Sequence, residues 1–332
     1  MKINDVAKLA EVSLATVSRV INGKKVKEST RVKVESAIKE LNYTPNFMAS
    51  SLHKSQRNMI LIIVPELSNP YYSSILQGIE VTAKSLGYNI ILGSSYSSEK
   101  QLLDYINLLN TKLVDGIILM ERLSREKISE KIKDENVLKK IVQCSEYIEE
   151  NSLSYVTIDH EKAAYEAIHH LLSIGKKEIY FFSMKNNYTY SILRRNGVIR
   201  ALKDNGLELK KENEILLDNL SIQEAHKQMD IILNNRKIEN IGIFTVSDII
   251  AIGILKSLNN KKILIPKNVA VIGFDNIDFS MATSPALTTI SQPGYELGVE
   301  SVKCLVRKIT DIESKPEKII LSHELIVRET TN

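Results

Sequence analysis

The sequence predicts an α/β protein: an N-terminal helix-turn-helix unit, then two doubly wound parallel-sheet units in tandem. Three observations carry that prediction. Residues 1–57 hold short helical patterns and a concentrated positive charge, eleven Lys/Arg against five Asp/Glu. From Met59 onward continuous apolar runs alternate with amphipathic helical patterns, as strands buried on both faces of a parallel sheet require. That alternation occurs twice, on either side of about residue 158. At roughly 100–200 residues per domain, a chain of 332 residues has room for this division.

Within the first unit, Ile3, Val6, Ala7, Leu9 and Ala10 form one helical stripe. Glu11-Val12-Ser13 is long enough only for a tight turn. Ala15 to Ile21 forms a second helix, with Val17, Val20 and Ile21 facing inward. Glu28 to Asn42 is a third, with Val32, Ile38 and Leu41 on one face and Ser29-Thr30 near its start as a cap. Thr44-Pro45 stops it, because the residue before proline is pushed out of the helical region. Asn46 is placed to cap a short helix over 47–53, and a polar linker follows. Helix spacing alone fits a helical cap on an enzyme as well as a DNA-binding unit. The charge distribution favours the second: residues 1–57 carry a net +6 and the rest of the chain −2.

Beyond the linker, strands are predicted at Met59–Val64, Asn89–Leu92, Gly116–Met120, Lys140–Gln143, Tyr155–Ile158, Ile179–Phe182, Ile215–Leu217, Ile241–Phe244 and Val269–Phe274. Helices lie between them, among them Tyr71–Leu86, Lys162–Ser173 and Leu193–Asn205. There is no GxxxxGK[ST], no GxGxxG after a strand, and no GxSxG, HExxH or CxxC; His169-His170 reads as a surface and packing pair. An enzyme is therefore not expected. Cys144 and Cys304 lack metal-ligand spacing and read as buried thiols in a reducing compartment, so no metal or covalent cofactor is expected. The N-terminus has no signal-peptide pattern, and no apolar run nears the roughly 20 residues of a membrane span. A cytoplasmic protein without membrane contact is expected.

Two parallel α/β lobes without catalytic motifs form a ligand-binding clamp, with the ligand at the carboxyl ends of the strands, between the lobes. Residues just past strands are the candidates: Asn69, Tyr71, Tyr72, Ser95, Asp159, Arg194, Asp248 and Asp275. Tyrosines stack on sugar or base rings, while carboxylates and arginine fix hydroxyl or phosphate groups. A sugar phosphate is one expected effector. The alternative for Asp159, Asp248 and Asp275 is that each caps a helix or turn. An extracytoplasmic sugar-binding protein would share the two lobes but not the basic N-terminal unit.

The segment Val12-Ser13-Leu14-Ala15-Thr16-Val17-Ser18-Arg19-Val20-Ile21-Asn22 resembles the signature of the lactose/galactose repressor family. So do Tyr43-Thr44-Pro45-Asn46, Val271-Ile272-Gly273-Phe274-Asp275 and Pro285-Ala286-Leu287-Thr288-Thr289-Ile290, and the likeness runs from about Lys2 to Thr330. Val114-Asp115-Gly116-Ile117-Ile118, Val156-Thr157-Ile158-Asp159, and Gln292-Pro293 with Tyr295-Glu296 and Gly298 resemble the family's catabolite control protein A branch. The resemblance implies lobes of periplasmic-binding-protein type that exchange segments, with crossings near Asp159, Thr288 and Ile320. A DNA-binding domain would span 1–57, with its hinge helix at about 47–53, and the ligand-binding and dimerisation core 58–332. Within the core, one lobe would hold 58–158 and 289–319, the other 159–288 and 320–332.

The resemblance also implies roles. Leu14, Ala15 and Arg19 match base-reading positions, Arg19 for a bidentate contact to guanine. Thr16, Ser18 and Asn22 match phosphate contacts. Ala49 and Leu52 match the hinge, with Leu52 wedging into the minor groove; Ser50 stands where many members carry a longer polar or basic residue. The hinge helix is below the roughly 12–15 residues of marginal stability, so it is expected to fold only when two copies pair on DNA. On the helix over 295–309, Tyr295, Glu296, Lys303 and Arg307 match a surface that receives the serine-phosphorylated phosphocarrier protein HPr, with lysine at 303 in place of arginine. The expected function is a homodimeric regulator of carbon metabolism on a palindromic operator, its DNA affinity raised by phosphorylated HPr. The alternative is a local sugar-operon repressor released by a small sugar or sugar phosphate. With no heptad tail before Asn332, a C-terminal tetramer bundle is not expected.

Overall fold

The computed structural model describes residues 2–21, 23–43, 57–123, 125–149, 152–185, 188–236, 239–311 and 313–332. Asn22, Ala49, Leu52 and the expected hinge helix lie outside the described residues. The chain divides into two compact units, Met1–Arg57 and Asn58–Asn332.

Among the described residues, the first unit has three helices: α1 (Ile3–Leu9), α2 (Leu14–Ile21) and α3 (Glu28–Glu40). They enclose a small core of Val6, Ala7, Ala10, Val17, Val34 and Ala37. Glu11, at φ +55°, makes the turn between α1 and α2. The Ser13 hydroxyl then accepts the Thr16 N–H at 3.2 Å and starts α2, as a serine cap does. Two inward residues expected from the sequence are exposed instead, Leu9 (43 %) and Val32 (55 %). Leu9 lies off the stripe formed by Ile3, Val6, Ala7 and Ala10, and the inner face of α3 is Val34, Ala37, Ile38 and Leu41.

The second unit begins with β1 (Met59–Val64), α4 (Tyr71–Ser85), β2 (Asn89–Ser94), α5 (Glu99–Asn110) and β3 (Gly116–Leu119). It continues through α6 (Arg125–Lys131), α7 (Glu135–Leu138), β4 (Ile141–Cys144), β5 (Ser154–Ile158), α8 (His160–Ser173), β6 (Glu178–Met184) and α9 (Thr189–Asp204). Then come β7 (Glu214–Leu217), α10 (Ile222–Asn235), β8 (Ile241–Thr245), α11 (Asp248–Asn260), β9 (Val269–Asp275), α12 (Phe279–Ala282) and β10 (Thr288–Ser291). The last elements are α13 (Gly294–Thr310), β11 (Lys318–Leu321) and β12 (Glu324–Ile326).

These form two six-stranded sheets, ordered β11-β5-β4-β3-β1-β2 and β12-β10-β9-β8-β6-β7. The paired strands are parallel, except β10 with β12. Strand β1 shows why the apolar run is unbroken. Ile60, Ile62 and Val64 join the cluster of Ile75, Ile79, Leu297 and Leu305, while Leu61 and Ile63 join that of Leu102, Leu103 and Ile106 on the other face.

Two of the three crossings between lobes fall slightly later than expected. Thr288–Ser291 does not leave the second lobe: it pairs with β9, Thr288 opposite Ile272 and Ser291 opposite Asp275. The chain crosses only after Ser291. It returns after Leu321, because Lys318–Leu321 pairs with β5 in the first sheet. Backbone pairing with a partner far along the chain sets these boundaries. Helix α9 also starts at Thr189, a turn before the expected Leu193.

Helices α4 and α13 pack at backbone distance. A Cβ on Gly78 would stand 2.1 Å from the Tyr295 carbonyl oxygen, and one on Gly298 would stand 2.2 Å from that of Ile75. Replacing Gly78 with alanine must therefore push the helices apart. The expected loss is about 1–3 kcal/mol, read as a lower urea midpoint; an unchanged midpoint would show that the contact is not constraining.

Candidate effector cleft and nucleic-acid interface

Between the two sheets of the second unit lies a cleft of ≈ 500 Å³. The first lobe supplies Glu66, Asn69, Tyr71, Tyr72, Ser145 and Glu146 to its walls. The second supplies Tyr188, Tyr190, Arg194, Asp218, Ser247 and Asp275. Five of the eight residues expected there line it: Asn69, Tyr71, Tyr72, Arg194 and Asp275. The other three stand elsewhere, for identifiable reasons. Ser95 is buried and turns its hydroxyl to Glu121. Asp159 accepts the Lys162 N–H at 2.9 Å and caps α8. Asp248 is buried behind the cleft, accepting the Ile277 N–H at 2.9 Å and the Thr289 hydroxyl at 2.6 Å.

Asp275 is held on both oxygens. Ser247 Oγ donates to Oδ2 at 2.9 Å and Gln292 Nε2 to Oδ1 at 2.8 Å. Gln292 Oε1 in turn accepts the Tyr71 hydroxyl at 3.1 Å, and that hydroxyl lies 2.7 Å from Ser145 Oγ. The Asp275 backbone has φ +114°, a region that disfavours any side chain. Next to it, Asn276 Oδ1 accepts from Arg328 Nη2 at 2.7 Å, which anchors the strained turn to the chain's last residues.

Arg194 is buried with its guanidinium 3.4 Å from the Phe274 ring centre. Nη1 donates to the Val246 carbonyl and Nη2 to His160 Nδ1 at 3.3 Å. Burial, and then Arg194, hold the His160 pKa well below the usual imidazole range, consistent with a neutral ring accepting at Nδ1. Tyr188 and Tyr190 stack at 5.5 Å between ring centres, while Tyr71 and Tyr72 meet at 56°.

Glu146 crosses the cleft. Its Oε1 accepts the Thr189 N–H at 2.7 Å and its Oε2 the Tyr190 N–H at 3.2 Å, so a carboxylate of one lobe caps helix α9 of the other. Burial pushes its carboxyl up to about 7 against the pull of those bonds, and burial likewise pushes Asp275 up to about 6, opposed by Arg194. Glu146, Tyr188, Tyr190, Ser247 and Gln292 were not among the residues expected here. Glu146 lies two residues past β4, so the strand-end rule that nominated the others would also have reached it.

In the first unit, Leu14, Ala15, Ser18 and Arg19 are exposed on one face of α2, opposite the buried Val17. Leu14 is 47 % exposed. The Thr16 hydroxyl lies 2.9 Å from Ser13 Oγ. On α13, Tyr295, Glu296, Lys303 and Arg307 are all exposed, but both cations have partners. Lys303 pairs with Glu300 at 2.8 Å, and Arg307 holds Glu317 bidentately at 3.2 and 2.6 Å. Arg307 and Lys308 together pull Glu317 down to about 2.

A helix-turn-helix with an exposed reading face, on one chain with a two-lobed clamp around a polar cleft, defines a ligand-responsive DNA-binding protein. Residues 57–329 match the family described as periplasmic binding proteins and sugar binding domain of LacI family, and residues 2–46 match the bacterial regulatory proteins of the lacI family. The chain belongs to the LacI family of DNA-binding transcription regulators, which are not enzymes. It is 35 % identical to the HTH-type transcriptional regulator RegA of Clostridium acetobutylicum over 99 % of this chain and 98 % of RegA. It is 32 % identical to catabolite control protein A of Priestia megaterium, over 99 % and 98 %. The lac repressor dimer bound to operator superposes with TM-score 0.87 at 25 % identity, over 100 % of this chain and 99 % of that one. The CelR–cellobiose complex superposes at 0.74 and 26 % identity, over 99 % of each. Regulators of this family bind DNA operators and small sugar effectors. Among the described residues no helix is long and apolar enough to cross a membrane.

The folded chain binds more protons than the unfolded one wherever Glu146 and Asp275 titrate high, because unfolded carboxyls titrate near 4. Their contribution to stability is fullest below about pH 4 and is lost as pH rises through 6 and 7. Substituting Glu146→Gln removes its share. The difference in unfolding free energy between wild type and variant should change by up to about 3 kcal/mol between pH 4 and pH 8. A pH-independent difference, measured by urea unfolding, would exclude Glu146 as the titrating group.

Proposed function

We propose that this chain is a homodimeric cytoplasmic regulator whose operator affinity is set by a small uncharged polyhydroxylated effector, a sugar or a sugar-like ring. The cleft carries this reading. Stacked tyrosines offer faces to an apolar ring surface, and Asn69, Ser145, Ser247 and Asp275 offer hydroxyl partners. Glu66, Glu146 and Asp275, with Asp218 already paired to Lys185, line the cleft beside Arg194, a balance that argues against a sugar phosphate. CelR, solved with cellobiose, is a relative whose ligand has this chemistry. The likeness to the lac repressor dimer bound to operator supports dimerisation, and a twofold dimer suits a palindromic site. Ala49 and Leu52 as minor-groove hinge residues, and Thr16, Ser18 and Asn22 as phosphate contacts, complete the DNA-binding side of the proposal.

A second reading, control of carbon metabolism through serine-phosphorylated HPr, is favoured by one observation. Tyr295, Glu296, Lys303 and Arg307 are all exposed on α13. A phosphoserine there would have to draw Arg307 from Glu317 and Lys303 from Glu300, exchanges that cost little at an exposed site. The two readings separate in one titration of the protein on operator DNA. Uncharged sugars should change the affinity under the first, and phosphorylated HPr should raise it under the second. An affinity indifferent to every uncharged sugar but raised by phosphorylated HPr would replace the first reading with the second.

Arg19 reads a base in this proposal, and Leu14 and Ala15 offer apolar contact to thymine methyls. Substituting Arg19→Ala should abolish discrimination at one base pair per half-site, worth roughly 1–3 kcal/mol. The check is a set of operator variants in a binding assay at fixed salt. Uniform weakening across all of them would assign Arg19 to the phosphate backbone instead.

A further inference from the structure

Helix α9 opens onto the cleft without a cap of its own, since Tyr188 at its start supplies no side-chain bond. Its first N–H groups carry the positive end of the helix dipole, the place where proteins hold phosphate and other anions. Here that place is already filled. The Glu146 carboxylate, 4 % exposed, takes the Thr189 and Tyr190 N–H groups, one on each oxygen. Arg194 gives Nη1 to the Val246 carbonyl and Nη2 to His160 and lies over the Phe274 ring, while its buried Nε has no hydrogen-bond partner. On the second lobe, Lys185 is paired with Asp218 at 2.7 Å. Arg122 draws the Glu146 carboxyl down, but less than the hydrogen bonds from Thr189 and Tyr190 do.

We propose that Glu146 is the charge filter of the cleft: by occupying the anion-binding end of α9 it admits uncharged polyhydroxylated ligands and rejects their phosphorylated forms. Above about pH 7, where Glu146 is ionised, a phosphate seeking those N–H groups would have to displace it and would then face a carboxylate with little water between them. A hydroxyl meets no such conflict, because it donates to Glu146 or Asp275 where both stand. The filter is also tied to closure. Glu146 belongs to one lobe and α9 to the other, so an anion that won the competition would break a bond holding the lobes together. This inference rests on the reading of the cleft as the effector site.

Calorimetric titration of the full chain at about pH 8, where Glu146 is ionised, tests it. The probes are inorganic phosphate, ribose 5-phosphate and glucose 6-phosphate, beside uncharged ribose, glucose and cellobiose, on wild type, Glu146→Ser and Glu146→Gln. The wild type should give no saturable binding of phosphate or either phosphorylated sugar at millimolar concentration. Glu146→Ser removes the charge and vacates both N–H groups, so it should bind inorganic phosphate at least about tenfold more tightly than wild type. Glu146→Gln keeps an acceptor but not the charge, and should fall between them. Wild-type binding of a sugar phosphate as tight as that of the variants would overturn the filter, whether or not the variants fold. So would folded variants, judged by a cooperative melting transition, that gain no phosphate affinity. If wild type and variants bind none of the uncharged sugars, the effector reading suffers, while the phosphate comparison still decides the filter.

Discussion

The cleft depends on a half-buried carboxylate that is held on both oxygens. Asp275 sits at the end of β9 in a backbone conformation that side chains avoid, and partial burial thins the water around it. Ser247 and Gln292 supply the hydrogen bonds that water would have made. Gln292 is the more consequential of the two, because it lies in the crossover between β10 and α13. Its amide nitrogen serves Asp275 in one lobe and its amide oxygen serves Tyr71 in the other. The amide orientation follows from chemistry, since a carboxylate accepts and a tyrosine hydroxyl has a proton to donate. One side chain thus joins the polar ends of the two sheets, and the pairs around it must stay satisfied for the lobes to remain in register.

The same logic explains why the rest of the second unit is built as it is. The close approach of α4 and α13 at Gly78 and Gly298 places Tyr71 at one end of the pair and the Gln292 crossover beside it. Arg328, in the last stretch of chain, reaches Asn276 and the Leu287 carbonyl, so the C-terminal residues hold the turn that carries Asp275. Asp248, expected as a ligand contact, instead fixes Ile277 and Thr289 around that same turn.

What the sequence makes legible is what is locally determined. Helix α2 is short and capped by its own Ser13, with Val17 as its one buried residue, so its outward face can be assigned from spacing. The strand runs are legible because both faces are apolar. The start of α9 is not, because its cap comes from Glu146, more than forty residues away in the other lobe. Tyr188 and Tyr190 were missed for the same reason. A rule that selects residues just past strands finds positions but not directions. It reached Tyr71 and Asp275, which face the cleft, and equally Ser95, whose hydroxyl turns to Glu121, and Asp159, which caps α8. The crossing expected near Thr288 falls after Ser291 instead, because β10 is defined by its pairing with β9 and not by its own four residues.

The charge distribution separates two recognition tasks that would otherwise interfere. The first unit carries a net +6, with Arg19 exposed on α2, and suits a polyanion. The second carries −2, and its cleft faces a ligand with carboxylates from both lobes. On the proposed reading, a cleft with that field disfavours phosphate esters and leaves selection to hydroxyl geometry and ring stacking. In a regulator of this family the effector must be read against a background of anionic metabolites and of DNA itself. Placing the negative charge at the site of closure lets one carboxylate both cap a helix and discriminate against those anions, so selectivity does not require a separate barrier at the mouth of the cleft.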